Sequence, residues 1–342
     1  MSTRVRVDSV LENARERYLS SFPNRGESGW MRDLRQASLE KFAAQGFPST
    51  RHEEWKYTDV RPILELGAQV AERPHLNGLA SSGVAEFAIP GLHGHRLVFV
   101  NGHFAPELSD IQEMPQGVTF GSLAEHMAHD SELVQEHLNQ YVVKTAPTPF
   151  VDLNTAFLQD GAFLHVPQGI EIDEPIHLLF LSKPESATES HVRNLVLIGA
   201  QARVTLVEHY ASTHDAPYFT NSVTEIVVGK NARVEHTKLQ MESPLAFHVA
   251  STQVQQERDV VFSSHNFDFG GRIVRNTSSA VMGGENIECT MNGLYLIAGD
   301  QHVDNHTAMD HAMPHCNSYE VYTGVLDDKA RGVFNGKIFV RR

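Results

Sequence analysis

The 342-residue chain is long enough to bury a sizeable core and to hold two domains, and its 41% apolar and 20% charged content is ordinary for a globular protein. A net charge of −14 argues against a nucleic-acid scaffold, which carries a basic patch, and leaves basic protein partners open. Twenty histidines make that charge sensitive to pH: protonating all of them would move the balance from −14 to +6.

Two cysteines, Cys289 and Cys316, make neither a disulfide framework nor a CxxC pair, which disfavours a closed thiolate zinc site. The start, MSTRVRVDSVLENARERYL, has no apolar h-region. No apolar stretch approaches the ~20 residues that span a bilayer, so no membrane association is expected. Cytoplasm is the default location, and the sequons at Asn276 and Asn305 are then chance matches.

Residues 1–150 read as a mainly helical domain with one strand pair. Ser9 and Glu12 have capping-box spacing, and Val10, Ala14 and Tyr18 follow on one face. In GWMRDLRQASLEKFAAQGFP, Trp30, Leu34, Ala37 and Lys41 share a helical stripe that Met31, Ser38 and Phe42 widen, and Gly46 and Pro48 end the helix. RHEEWKYTDV, residues 51–60, reads as a domain-packing segment: Trp55 and Tyr57 can anchor it while Arg51, Glu53, Glu54 and Lys56 stay wet. LVFVNGHF carries Asn101-Gly102 between apolar runs, which signals a hairpin near 97–104. Ser122-x-x-Glu125 opens a further helix through Leu123, Met127 and Val134 towards Leu138 and Tyr141.

After PTPFVDLNTAFLQDG the character changes, and residues 151–342 read as one long β-region. Several pieces share a format: a turn with Gly, Asn or Asp, then alternating apolar residues. GAQARVTL and GKNARVEH start thirty residues apart, with GGENIECT and DDKARGVF as less regular copies. No helical pattern separates the strands, which argues against βαβ units. A loose repeat of this period points to a parallel β-helix, with a sandwich or jelly roll as the alternative.

QHVDNHTAMDHAMPHC, residues 301–316, is dense in chemistry. His302, Asp304 and His306 alternate and share one face of a strand. His311 and His315 are four apart, but Pro314 lies between them. Imidazole with thiolate suits zinc, iron or copper, which makes His311, His315 and Cys316 the metal candidates. The competing reading is that these residues decorate turns and strand edges. Cys316 lies beside His315, which could lower its pKa; Cys289, in NIECTM, alternates inward as a core residue.

Other motifs fail on inspection. GVFNGK, residues 332–337, has three residues between its glycines and Ile338 after its lysine, so it is no Walker A loop. Asn335-Gly336 reads instead as a turn joining two short strands. GAFLHVPQG opens like a cupin motif, but Ile172 stands where a histidine ligand belongs, and His165 then reads as structural. Asp327-Asp328 beside Lys329 read as a solvated turn. There is no nucleophile elbow. No catalytic residue and no resident cofactor is expected.

RHEEWKYTD, PFVDLNTAF and the long QHVDNHTAMDHAMPHCNSYEVYTGVLDDKARGVFNGKIFV together resemble the SufB/SufD family of the SUF iron–sulfur cluster assembly system, and the first of them favours its SufD type. The resemblance implies a helical N-terminal domain, a right-handed parallel β-helix and a C-terminal helical domain. It implies a non-catalytic scaffold acting with a SufB-like paralogue and a SufC-like ATPase. Sulfur-donor proteins would act indirectly, and a transient iron–sulfur cluster would sit at the partner interface of the full complex. Pairing in the family through late β-helix strands points here to Gly332, Phe334, Lys337 and Phe339. The chain ends at KIFVRR inside a strand-like stretch, so the family's C-terminal helices, with their SufC-docking surface and Cys-x-His motif, are expected beyond Arg342. Two other functions compete: a metal-dependent cupin-like β-barrel enzyme using residues 302–316, and a carbohydrate-active β-helix, which the lack of an aromatic stripe opposes.

Overall fold

The computed structural model describes residues 2–341 apart from 24–28, 74, 75, 77, 78, 80, 130, 146 and 147. Helices come first: α1 spans Ser2–Ser20 and α2 spans Gly29–Gln45. Ser9 lies inside α1, so the Ser9–Glu12 box does not start it; the residues before Ser9 are already helical. The buried face of α2 is Met31, Arg35, Ser38, Leu39 and Phe42, whereas Ala37 and Lys41 of the expected stripe are exposed. Arg35 explains the rotation. Its Nη1 and Nη2 donate to the carbonyls of Ala156 (3.0 Å) and Leu158 (2.8 Å), the free acceptors at the end of a later helix. A pattern count places arginine on the wet face by default.

Short elements follow: α3 (Arg61–Glu65), β1 (Gln69–Val70), α4 (Ser81–Val84) and the hairpin of β2 (His95–Val100) and β3 (His103–Phe104). Asn101 and Gly102 turn that hairpin with φ of 49° and 79°, the left-handed pair the sequence signals. β4 (Thr119–Ser122) leads into α5 (Leu123–Ala128), where Ser122 Oγ accepts from the Glu125 amide at 3.2 Å as the cap spacing requires. The single helix expected towards Tyr141 is in fact broken: α6 (Glu132–His137) and α7 (Val142–Thr145) are separate. The buried Glu225 carboxylate draws the chain off the helical path after Leu138 by accepting from the amides of Asn139 (2.7 Å), Tyr141 (2.9 Å) and Val142 (3.0 Å). α8 (Pro149–Phe157) is buried along its whole length after Pro149.

From Ala162 the chain alternates between two sheets. The first receives β5 (Ala162–Val166), β7 (Thr188–Ile198), β9 (Phe219–Val228), β11 (Phe247–Gln256), β13 (Ile273–Met282), β15 (His302–His311) and β17 (Arg331–Val340). The second receives β6 (Ile176–Ser182), β8 (Arg203–Ser212), β10 (Arg233–Met241), β12 (Val261–Asp268), β14 (Glu288–Ile297) and β16 (Asn317–Leu326). Each strand pairs in parallel with the strand two places on in its own sheet. The result is a parallel β-solenoid of about 6 turns, and not a sandwich or a cupin-like barrel. Neither repeat can bury its inner face alone, so each coil is stabilised by the next.

The repeat legible in sequence is the true stacking unit, because Arg203 and Val204 sit in register with Arg233 and Val234. DDKARGVF is irregular because it enters the other sheet, as β17. Asn335-Gly336 makes no turn: both residues lie within continuous β17, in register with His306 and Thr307 of β15. The parallel ladder outweighs the local turn preference. A real corner recurs before β8, β10, β12, β14 and β16, at Gln201, Asn231, Asp259, Asn286 and His315, with φ of 60°, 57°, 61°, 60° and 61°. The residues that follow the first four, Ala202, Ala232, Val260 and Ile287, point into the core.

Over β9, β11 and β13 the outward face of the first sheet is covered. Phe219, Phe247 and Ile273 form a ladder on it, one per strand, and pack against Tyr18, Phe42, Trp55, Phe150 and Phe157 in a second core. The later strands of the second sheet are open outward, with Met241, Val321 and Val325 exposed.

Candidate functional site

His302, Asp304 and His306 share the outward face of β15, as their alternation requires, but they are buried, at 9%, 1% and 7% exposure. The segment RHEEWKYTD lies across them. Thr58 Oγ donates to Asp304 and is 2.8 Å from His302 Nε2. A hydroxyl has one proton to give, so His302 Nε2–H donates to Thr58, and Nδ1 is left without a partner. Burial holds the His302 pKa below its ordinary value, which suits this neutral tautomer. Arg275 Nη1 donates to Asp304 Oδ2 at 2.6 Å, and its guanidinium packs on the Trp55 ring with 4.6 Å to the centroid. His306 Nε2 is 3.0 Å from Asp304 Oδ1, and its Nδ1 is 3.4 Å from Glu54 Oε2. Glu54 also pairs with Lys337 on β17.

These contacts set the charges. Burial pushes the Asp304 carboxyl upward, but the His306 hydrogen bond and the Arg275 charge outweigh it and hold the pKa below the usual range. Glu54 is lowered in the same way: burial raises it, and Lys337 and His306 more than compensate. Both nitrogens of His306 face carboxylates, Nε2 that of Asp304 and Nδ1 that of Glu54. The segment 51–59, which sequence treats as ordinary packing, is thus a strap fastened to β13, β15 and β17. Thr58 and Asp304 are 246 residues apart in sequence, so nothing local signals that they meet.

The metal candidates sit at one end of the solenoid. His311 closes β15 with Nε2 3.0 Å from Ser318 Oγ. His315 occupies the left-handed corner, a conformation histidine adopts more readily than most residues. Cys316 is next in the column of core-facing corner residues, half-buried, with Sγ–H donating to the Gly284 carbonyl at 3.2 Å. Among the described residues, no group of three or more His, Cys, Asp or Glu side chains is arranged to hold a metal ion. Cys289 is a fully buried core residue, as alternation suggests, and burial pushes its thiol up to about 12.

The four interface candidates on β17 fall on two faces. Gly332 and Phe334 are in register with Val303 and Asn305 and face inward; Lys337 and Phe339 are in register with Ala308 and Asp310 and face outward. Phe334 stacks on Tyr322 at 4.8 Å between centroids. Gly332 leaves room for Tyr295, whose ring a Cβ there would meet at 2.7 Å. Phe339 and its neighbour Ile338 are 51% and 61% exposed.

Sequence reasoning missed a polar spine inside the solenoid. Glu208 accepts from Tyr210 at 2.7 Å and pairs with His236 at 3.0 Å. Lys238 donates to Asn276 at 2.9 Å, and Asn276 and Asn305 both reach Asp268. His248 Nδ1 is 2.7 Å from Glu242 Oε2. All are buried, which also removes Asn276 and Asn305 as glycosylation acceptors. In VEHTKLQM the inward residues are His236, Lys238 and Gln240, while Met241 is 51% exposed. The available signal was the repeat itself: Val204 and Val234 fix the inward phase.

Two family models together match most of the chain: the SufBD core domain of the SUF iron–sulfur cluster assembly system over residues 180–342, and the SufBD protein N-terminal region over residues 17–178. An iron-sulfur cluster assembly SufBD family protein of Synechocystis is 30% identical over 344 residues, covering 98% of this chain and 74% of that protein. The iron-sulfur cluster assembly protein SufD of Escherichia coli is 28% identical over 315 residues, covering 89% and 69%. The assembly protein SufB of Bacillus subtilis is 21% identical over 333 residues, covering 95% and 67%.

Proposed function

The chain belongs to the SufB/SufD family of iron–sulfur cluster assembly proteins, and from that premise we propose that it is a SufD-type scaffold subunit which docks a SufB-like paralogue along β17. One observation carries the docking surface: Phe334, Ile338, Phe339 and Val340, all more than two-fifths exposed, lie on a strand whose only partner among the described residues is β15. Strand addition would pair those backbone groups, and the apolar side chains would supply the buried area. Gly332 gives the close approach, and Phe334, Lys337 and Phe339 give the contacts.

In this reading residues 1–150 brace one face of the solenoid and residues 151–342 form the rod that holds partners in place. No bond is made or broken on this chain. ATP hydrolysis belongs to a SufC-like partner, and sulfur-donor proteins act through the complex. A transient iron–sulfur cluster is cargo at the interface, where His311, His315 and Cys316 are the residues of this chain placed to contribute a ligand. Among the described residues no helix is long and apolar enough to cross a membrane, and we place the complex in the cytoplasm. Co-expression with the organism's own SufB- and SufC-like proteins tests the reading. A ternary complex that Phe339→Glu weakens at least tenfold supports it, and a full-length protein that captures neither partner refutes it.

A further inference from the structure

A cavity of about 260 Å³ opens between the strap and the outward face of β13, β15 and β17, and two of its lining residues, Lys337 and Phe339, are also docking contacts proposed above. Its lining is rich in donors: the cationic groups of Arg275 and Lys337, the His306 imidazole, and the hydroxyls of Thr277 and Ser279. The lining carries one carboxylate, Glu54. Arg275 is 2% exposed, and its Nε has no hydrogen-bond partner.

Glu54 shows what the cavity accepts. Its side chain is 51% exposed, sits on a single 3₁₀ turn, and reaches Lys337 and His306. The cradle is therefore already occupied by a carboxylate, delivered by the chain itself on a short surface segment. Asp304 balances Arg275 beneath the cavity. When Glu54 swings out, the Lys337 charge is left uncompensated.

We propose that this cavity binds a small free oxyanion of the carboxylate or phosphate class, in competition with Glu54. The ligand's oxygens take the places of the Glu54 carboxylate at Lys337 and His306, and Thr277 and Ser279 complete the donor set. Trp55 lines the cavity and Trp30 does not, so binding changes the emission of one of only two tryptophans.

The test titrates the full chain with inorganic phosphate and, separately, with citrate at constant ionic strength, read by tryptophan fluorescence and by calorimetry. The expected result is saturable binding of at least one probe. Glu54→Gln removes the competitor and should tighten binding roughly two- to fivefold, the range an exposed ion pair supports. Lys337→Ala, at an exposed position that leaves the fold intact, should weaken it roughly two- to fivefold. Saturation by phosphate alone or citrate alone assigns the class. The proposal is overturned if neither probe saturates, if Glu54→Gln weakens binding, or if Lys337→Ala leaves it unchanged.

Discussion

Replacing Asp304 by asparagine probes the strap most sharply. The Asp304 carboxylate takes hydrogen bonds from Thr58 and from the Arg275 guanidinium at 2.6 Å, and His306 Nε2 lies 3.0 Å from its other oxygen, all at a site 1% exposed. Asparagine keeps the shape and can still accept from Thr58, but it turns an amide towards a buried arginine. Stranding one member of a buried ion pair costs about 3–5 kcal/mol, against about 0.2–1 kcal/mol for the exposed Lys337–Glu54 pair. We expect Asp304→Asn to lose roughly 3 kcal/mol in urea unfolding and Lys337→Ala to lose less than about 1. Trypsin should cut Asp304→Asn faster after Arg51 or Lys56 under native conditions, since the strap is what Asp304 holds. Arg275→Met combined with Asp304→Leu should recover most of the loss, because the cost lies in the unpaired charge. A loss below about 1 kcal/mol for Asp304→Asn, or a double variant whose losses simply add, would refute the reasoning.

Three further outcomes follow from the buried groups. Burial raises the Asp152 pKa to about 6, above its unfolded value, so its contribution to stability is full below about pH 4 and is lost as pH rises through 6. Asp152→Asn should therefore flatten the stability profile between pH 4 and 7, as read by denaturant titration at each pH. His177 and His209, stacked and 3.3 Å apart between ring nitrogens, are lowered by burial to about 3 and about 4. The unfolded chain takes up their protons below about pH 6.5 while the folded chain does not, so stability falls with acidification. His177→Gln with His209→Gln should shrink that acid loss in thermal melts at pH 7 and pH 5. A thiol reagent should modify Cys316 in the native protein and reach Cys289 only on unfolding; equal native rates would place Cys289 wrongly.

What the sequence disclosed and what it hid divide along physical lines. Features fixed by a few neighbouring residues were readable: the Asn101-Gly102 hairpin, the Ser122 cap, and the stacking of GAQARVTL on GKNARVEH. Features decided by distant partners were not. Arg35 is buried because the end of α8 needs donors, and Glu225 breaks a helix by collecting amides 83 to 86 residues away. His236 and Lys238 face inward because partners on other coils satisfy them, while hydropathy alone would bury Met241. Asn335-Gly336 has a turn's residues, but the ladder from β15 holds it straight. The chemistry-dense segments 51–59 and 301–306 were each visible, and only the solenoid brings them together.

We propose that this chain works by presenting β17 to a paralogue. Hydrogen–deuterium exchange of the full chain, alone and with its SufB-like partner, tests it most directly. The amides of residues 331–340 are expected to become the most strongly protected in the complex. Protection that leaves 331–340 unchanged and appears elsewhere on the solenoid would contradict it.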